Sequence, residues 1–340
     1  MEEHMNRRAV YSHGGTPSDV LRIIDGPDPG EPQRGQVRVR ITAFPIHPGD
    51  LQAIEATSTE ISSGDIAAGL EATGVVEAIG PDTPVGTGVK VGGRVTVFPH
   101  AGAWADWILA DSTNVVAVPD GISDDIAAQL LVNPLTAIML KREAEKHFAF
   151  GYGGLMVQTA AGSSVGRILS GAATIHSLPL INVVRSERGA ELLRDRFSNI
   201  PAISTDRPGW VNDLRDIAAD RPVSVALDPI GGRLAENLLD ILAPGGTLIN
   251  YGLIAQEPIS VHASTILLKS LTLRGTSIGR WLADLSPERR ASDVATAILI
   301  AYGLKDQFDV AGTYDFQDLG AAVDFAVKPG KVGTVLVRTQ

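Results

Sequence analysis

The chain has 340 residues, 44% of them hydrophobic, and no cysteine; its length predicts two domains, and the missing thiols exclude disulfides, thiolate nucleophiles and cysteine-ligated metals. Lys and Arg number 29 against 39 Asp and Glu, and the net charge of -10 opposes binding to a phosphate backbone over any broad face, so nucleic acid is not an expected partner. No window approaches about 18 to 20 consecutive apolar residues, and the start MEEHMNRRAVYSHGG lacks the apolar core of a signal peptide; a soluble, cytoplasmic protein with no membrane partner is expected.

Up to about residue 121, short alternating runs (QVRVRITAF, TGVVEAIG, GRVTVFP, WADWILA, NVVAVP) are separated by Gly and Pro turns, which predicts a mostly antiparallel, barrel-like domain. Trp104 and Trp107 in AGAWADWIL are candidates for the wall of a cleft, with the core as the alternative. From Asp124 the period changes to helical in SDDIAAQLLVNPLTAIMLKREAEKHF, with Ser123 as candidate cap. Strands and helices then alternate: a strand over 153–160, a helix over 164–177, a strand over 178–185, the helix GAELLRDRF, VSVALDPIG, a helix around ENLLDIL, GTLINYG and LTLRGTSI. Continuously apolar strands joined by helices imply a parallel sheet covered on both faces. A helical stretch after about residue 280, GTYDF, a last helix and the strand GTVLVRT complete the chain.

The turn AAGSSVGR (160–167) stands where the first strand would deliver a nucleotide phosphate to a helix N-terminus. Aligned on Gly166, the three glycine positions of G-x-G-x-x-G fall at Ala161, Ser163 and Gly166, so only the third glycine is present. Small residues partly satisfy the other two, and simple strand–helix packing explains the loop equally well. The second strand shifts the balance. It ends INVVRSERG, with Arg185 at its tip and Arg188 three residues on. An acidic residue there accepts the ribose hydroxyls of NAD, whereas arginines suit a 2'-phosphate and are otherwise unfavourable at a helix N-terminus; NADPH is the expected cofactor.

LLVNPLTAIML, INVVR, ALDPIGGRLAENLLDILAPGGTLINYGLIAQEPISV and LKSLTLRG together resemble the medium-chain dehydrogenase/reductase superfamily, in its zinc-free branch of 2-enoyl thioester reductases and quinone oxidoreductases. The likeness runs over nearly the whole chain and is greatest to the mitochondrial-type trans-2-enoyl thioester reductases, whose loop tolerates Ser for Gly. It implies a Rossmann doubly wound parallel sheet plus a GroES-like, mostly antiparallel β-barrel catalytic domain: 1–123 GroES-like, 124–275 Rossmann and NADPH-binding, 276–340 returning to the catalytic domain. It further implies that Asn133 and Thr136 lie against the nicotinamide, that Gly162, Ser163, Ser164 and Val165 hold the pyrophosphate, that Arg185 and Arg188 take the 2'-phosphate, and that Tyr251, Gly252, Thr276 and Ser277 line the rest of the cofactor cleft.

Two departures matter. Where zinc alcohol dehydrogenases of the superfamily carry Cys, the His of Gly-His-Glu and Cys, this chain has His47, Leu70 and Asn133; one histidine without a thiolate cannot make the usual three-ligand site, so no metal is expected. His47 is then a candidate proton donor or nicotinamide-ribose contact, or an ordinary loop histidine before Pro48. The enoyl reductases also carry a Tyr about a dozen residues after an Asn-Pro-Ser-Asp-like motif. Here HPGD (47–50) is followed by LQAIEATSTEISSGD, without tyrosine. Ser58, Thr57 or Thr59 could donate to a developing enolate oxygen instead, or belong to a merely polar loop. Asp50 reads as structural. The expected activity is hydride transfer to an activated C=C bond by a reductase with His47, Asn133, Thr136 and Ser58 at the reacting end. Quinone reduction and a non-catalytic NADPH-binding role are the alternatives. LTLRGTSI as a sheet edge predicts a homodimer.

Overall fold

The structure is a computed structural model that describes residues 5–57, 64–147 and 154–339. The chain divides into two compact units, Met1–Val132 with Ala301–Gln340, and Asn133–Ile300.

The second unit is built on a six-stranded parallel sheet. In chain order its strands are Leu155–Gln158, Leu180–Val184, Ala202–Ser204, Val223–Asp228, Thr247–Asn250 and Thr272–Gly275, and in space they run third, second, first, fourth, fifth, sixth. That order is the doubly wound Rossmann arrangement, in which neighbouring connections part company beside the first strand and leave a crevice at the carboxyl ends. The inner strands are largely apolar because both faces are covered: every residue of Leu180–Val184 is buried. Helices Ser164–His176, Glu187–Arg196, Trp210–Ala218 and Gly232–Ile241 alternate with them. Leu214, Leu238 and Leu239 join Val157, Ile181 and Leu248 in one core cluster, each such side chain contributing roughly 1.5–3 kcal/mol.

The first unit carries a seven-stranded sheet with the path Val310–Asp315, Thr334–Arg338, Gln36–Ile46, Ala72–Ile79, Arg94–Val97, Val115–Ala117, and Trp107–Asp111 pairs alongside Gln36–Ile46. All its pairs are antiparallel except that between the two C-terminal strands. The QVRVRI alternation buries every second residue of the long strand, as a period of two requires. Phe44 stacks on Trp104 with centroids 5.3 Å apart and meets Phe316 edge-on. Trp104 is therefore core, and Trp107 turns its indole N–H to Glu77. The sequence reading runs one helical texture from residue 124; the chain instead forms Asp124–Ala127, capped by the Ser123 hydroxyl on the Ile126 N–H, then breaks before Val132–His147.

Candidate functional site

Two groups of candidate residues lie in the two units. In the Rossmann unit, the turn after the first strand bends through Ala160, whose φ of +49° is a left-handed conformation costing an L-residue about 1–2 kcal/mol. Gly166 is required by packing, since a Cβ there would stand 2.6–2.8 Å from the backbone of Ala161. Gly162 has room, its nearest neighbour being a Val184 methyl at 3.9 Å. Ser163 is the N-cap: its Oγ accepts the Gly166 N–H at 3.1 Å, and Ser164 and Val165 follow in the first turn. The buried Arg167 donates from Nη1 to the Gly162 carbonyl at 2.6 Å and holds the turn from beneath. The Gln158 amide nitrogen lies within hydrogen-bond distance of the Gly166 carbonyl, Ser170 Oγ and Asn182 Oδ1 and shares its two N–H groups among them, tying the first strand, the helix and the second strand together.

Arg185 sits past the second strand and Arg188 in the first turn of Glu187–Arg196, both exposed. Neither makes an ion pair among the described residues. At the carboxyl ends of the fourth and fifth strands, Asp228 is fully buried; it accepts the N–H groups of Gly231 at 2.7 Å and Ile230 at 3.3 Å and the hydroxyl of Thr159. Burial pushes its carboxyl upward against these bonds. The Tyr251 phenol is likewise pushed up, by burial and then by the Asp228 charge, and its hydroxyl has no partner among the described residues. Gly252 is fixed by close approach, because a Cβ would stand 2.6 Å from the Pro229 carbonyl oxygen. Thr276 donates its N–H to Asn250, and Ser277 caps Ile278–Ala283. Asn133 and Thr136 are buried in Val132–His147, and the Asn133 amide nitrogen has no partner among the described residues.

In the other unit, His47 precedes Pro48–Glu55 and is buried. Its Nε2 lies 2.7 Å from Glu71 Oε2, while Glu71 Oε1 accepts the N–H groups of Leu131 at 2.7 Å and Val132 at 3.1 Å. Desolvation opposes the charged imidazole, but Glu71 outweighs it and the His47 pKa is raised. Asp50 accepts the His47 backbone N–H at 3.0 Å, and burial pushes its carboxyl up to about 6. Thr57 spends its hydroxyl proton on the Ala53 carbonyl. Ser58 and Thr59 lie outside the described residues. Sequence reasoning missed Glu71 and Asp228. Glu71 is the last letter of GLE, read only for the Leu70 before it, and its amide partners lie sixty residues away.

Residues 33–120 match the alcohol dehydrogenase GroES-like domain family and residues 164–294 the zinc-binding dehydrogenase family. The bovine mitochondrial enoyl-[acyl-carrier-protein] reductase is 30% identical over 290 residues, covering 83% of this chain and 75% of that protein. The chain belongs to the medium-chain dehydrogenase/reductase superfamily. Two solved superfamily structures share its fold. They are the Escherichia coli quinone oxidoreductase complexed with NADPH (TM-score 0.83, 22% identity, 98% of this chain and 99% of that one) and the Candida tropicalis mitochondrial 2-enoyl thioester reductase heterodimer (TM-score 0.79, 18% identity, 98% and 99%). The Rossmann and GroES-like architecture expected of the superfamily is the one observed.

Proposed function

We propose that this chain is a zinc-independent, NADPH-dependent reductase that transfers hydride to an activated C=C bond, in a 2-enoyl thioester or an enone. The observation that carries the reading is the 30% identity to an enoyl-[acyl-carrier-protein] reductase over 83% of the chain. The residues present fit the cofactor. The Gly162 turn is open, and among the described residues Arg185 and Arg188 make no ion pair and the buried Asn133 Nδ2 and Tyr251 hydroxyl find no acceptor, each such donor costing about 1–3 kcal/mol if left unmet. A bound nicotinamide supplies the hydride, and the chain's contribution is to bind, orient and stabilise charge.

In this reading Gly162, Ser163, Ser164 and Val165 hold the pyrophosphate at the helix N-terminus, Arg185 and Arg188 the 2'-phosphate, and Tyr251, Gly252, Thr276 and Ser277 the remainder. His47, Asn133, Thr136 and Ser58 serve the reacting end. There a donor hydrogen bond to the thioester or ketone oxygen stabilises the enolate that forms as the β-carbon accepts hydride, and the α-carbon is protonated afterwards. Zinc independence rests on the donor set: the Leu70 side chain carries no ligand atom, and Nε2 of His47 is engaged by Glu71.

Quinone reduction is the second reading, favoured by the likeness in fold to the E. coli quinone oxidoreductase. A panel of enoyl thioesters, enones and small quinones with NADPH and NADH separates the two, and Arg185→Ala tests the cofactor. Loss of the NADPH preference is expected; an unchanged preference contradicts the assignment.

The chain is further proposed to form a homodimer. Every residue of the edge strand Thr272–Gly275 is exposed, and beside it Leu267 and Leu268 are 76% and 80% exposed, an apolar edge that pairing with a second copy would cover. No helix among the described residues is long and apolar enough to cross a membrane. The cytoplasm is the compartment proposed, and fractionation decides between it and the mitochondrion named for the bovine relative.

A further inference from the structure

The turn after the third Rossmann strand is locked to the tip of the second. The buried Ser204 hydroxyl donates to the Arg185 carbonyl at 2.7 Å, the Asp206 N–H donates to the same carbonyl at 2.9 Å, and the Thr205 N–H donates to Val184 at 2.8 Å. A shallow pocket opens there, lined by Glu187, Ser204, Asp206 and Arg207. Its charges are unequally committed. Glu187 is held by Arg194 at 2.6 Å. Among the described residues Arg207 pairs only with Asp213, in a long, exposed contact at 3.5 Å, the kind of pair worth little. Asp206 makes no ion pair among the described residues. An uncommitted carboxylate and a loosely held guanidinium therefore line one concavity whose position is fixed relative to Arg185.

We infer that Asp206 and Arg207 are opposed specificity-determining residues for the adenosine end of the cofactor: Arg207 adds a cation for a 2'-phosphate, while Asp206 repels that phosphate and accepts a ribose hydroxyl when it is absent. This rests on the reading that the unit binds a 2'-phosphorylated dinucleotide. Carboxylates favour the ribose diol and cations the phosphate, so a lip holding both prefers NADPH by a margin that Asp206 limits.

The test is calorimetric titration with adenosine 2',5'-bisphosphate and adenosine 5'-monophosphate, which differ only in the 2'-phosphate and involve no turnover. The ratio of their affinities is the quantity read. Asp206→Asn is expected to raise the bisphosphate preference and Arg207→Ala to lower it, each by about two- to fivefold, the upper scale of one exposed charge. Arg207→Ala leaves the monophosphate affinity within about twofold. A ratio unchanged within about 1.5-fold, or shifted the other way, in either variant overturns the inference. If that happens while Arg185→Ala still lowers the ratio, the cofactor reading stands without it. If Arg185→Ala also leaves the ratio unchanged, the cofactor reading itself falls.

Discussion

At the scale of single residues, the first unit hides a cluster of three titratable side chains, His47, Asp50 and Glu71, all buried. Asp50 is pushed up to about 6, so the folded protein binds its proton more tightly than the unfolded chain does. Stability from this group is greatest in acid and is lost as pH rises from the ordinary aspartate range through 6. Relative to Asp50→Asn, the wild type should lose roughly 1–3 kcal/mol between pH 4 and pH 6. Urea unfolding of both proteins across that window measures it, and a flat difference contradicts the assignment. The raised His47 acts in the same direction at higher pH, its contribution fading as pH climbs through its folded value. Glu71→Ala removes the acceptor of two amides and the imidazole's partner, so denaturation should show a loss of about 3–5 kcal/mol. A loss under about 1 kcal/mol would mean that the carboxylate is not the hub the hydrogen bonds describe.

At the scale of elements, the phosphate turn divides its glycines by cause. Gly166→Ala forces a Cβ against the Ala161 backbone; it should lower Tm and weaken dinucleotide binding together. Gly162→Ala meets open space, so thermal unfolding should be unchanged while affinity for NADPH falls, since the added methyl would crowd a bound phosphate. Equal losses of stability in the two variants would contradict this division. Part of the turn was legible in AAGSSVGR: its small residues and the one retained motif glycine, Gly166, can be read there, whereas the cap that Ser163 forms is seen only in its bond to the Gly166 N–H. The left-handed residue was not, because it falls on Ala160, one place before the aligned glycine position, and nothing in an alanine advertises a positive φ. The long periodic elements were legible too, from QVRVRITAF to LINVV. The strand Ala202–Ser204 has three residues, too few for a period to register, and NRRAVY reads as a charged start although it pairs with Arg22–Gly26.

At the scale of the whole molecule, the exposed edge strand and its leucines predict assembly. Leu268→Glu combined with Leu273→Glu should convert a dimer to a monomer in light scattering at micromolar concentration, with the Rossmann core intact by circular dichroism; a wild type already monomeric under those conditions would remove the proposal. The alternation of strands and helices could be read from apolar runs and turn residues, and the superfamily from the resemblance that LLVNPLTAIML, INVVR and LKSLTLRG carry; the strand order comes from the structure. The chemistry at the reacting end was less accessible. The tyrosine is missing, Ser58 lies outside the described residues, and contacts such as Glu71 with Leu131 join distant segments that no local pattern links. The central claim concerns the acceptor, and one measurement bears on it most directly: loss of reduced-nicotinamide absorbance with a crotonyl thioester, beside the same assay with a small quinone, each with NADPH and with NADH. The account predicts turnover of the enoyl thioester, faster with NADPH than with NADH. Rapid quinone reduction with the thioester inert, or NADPH binding without turnover of any acceptor, would contradict it.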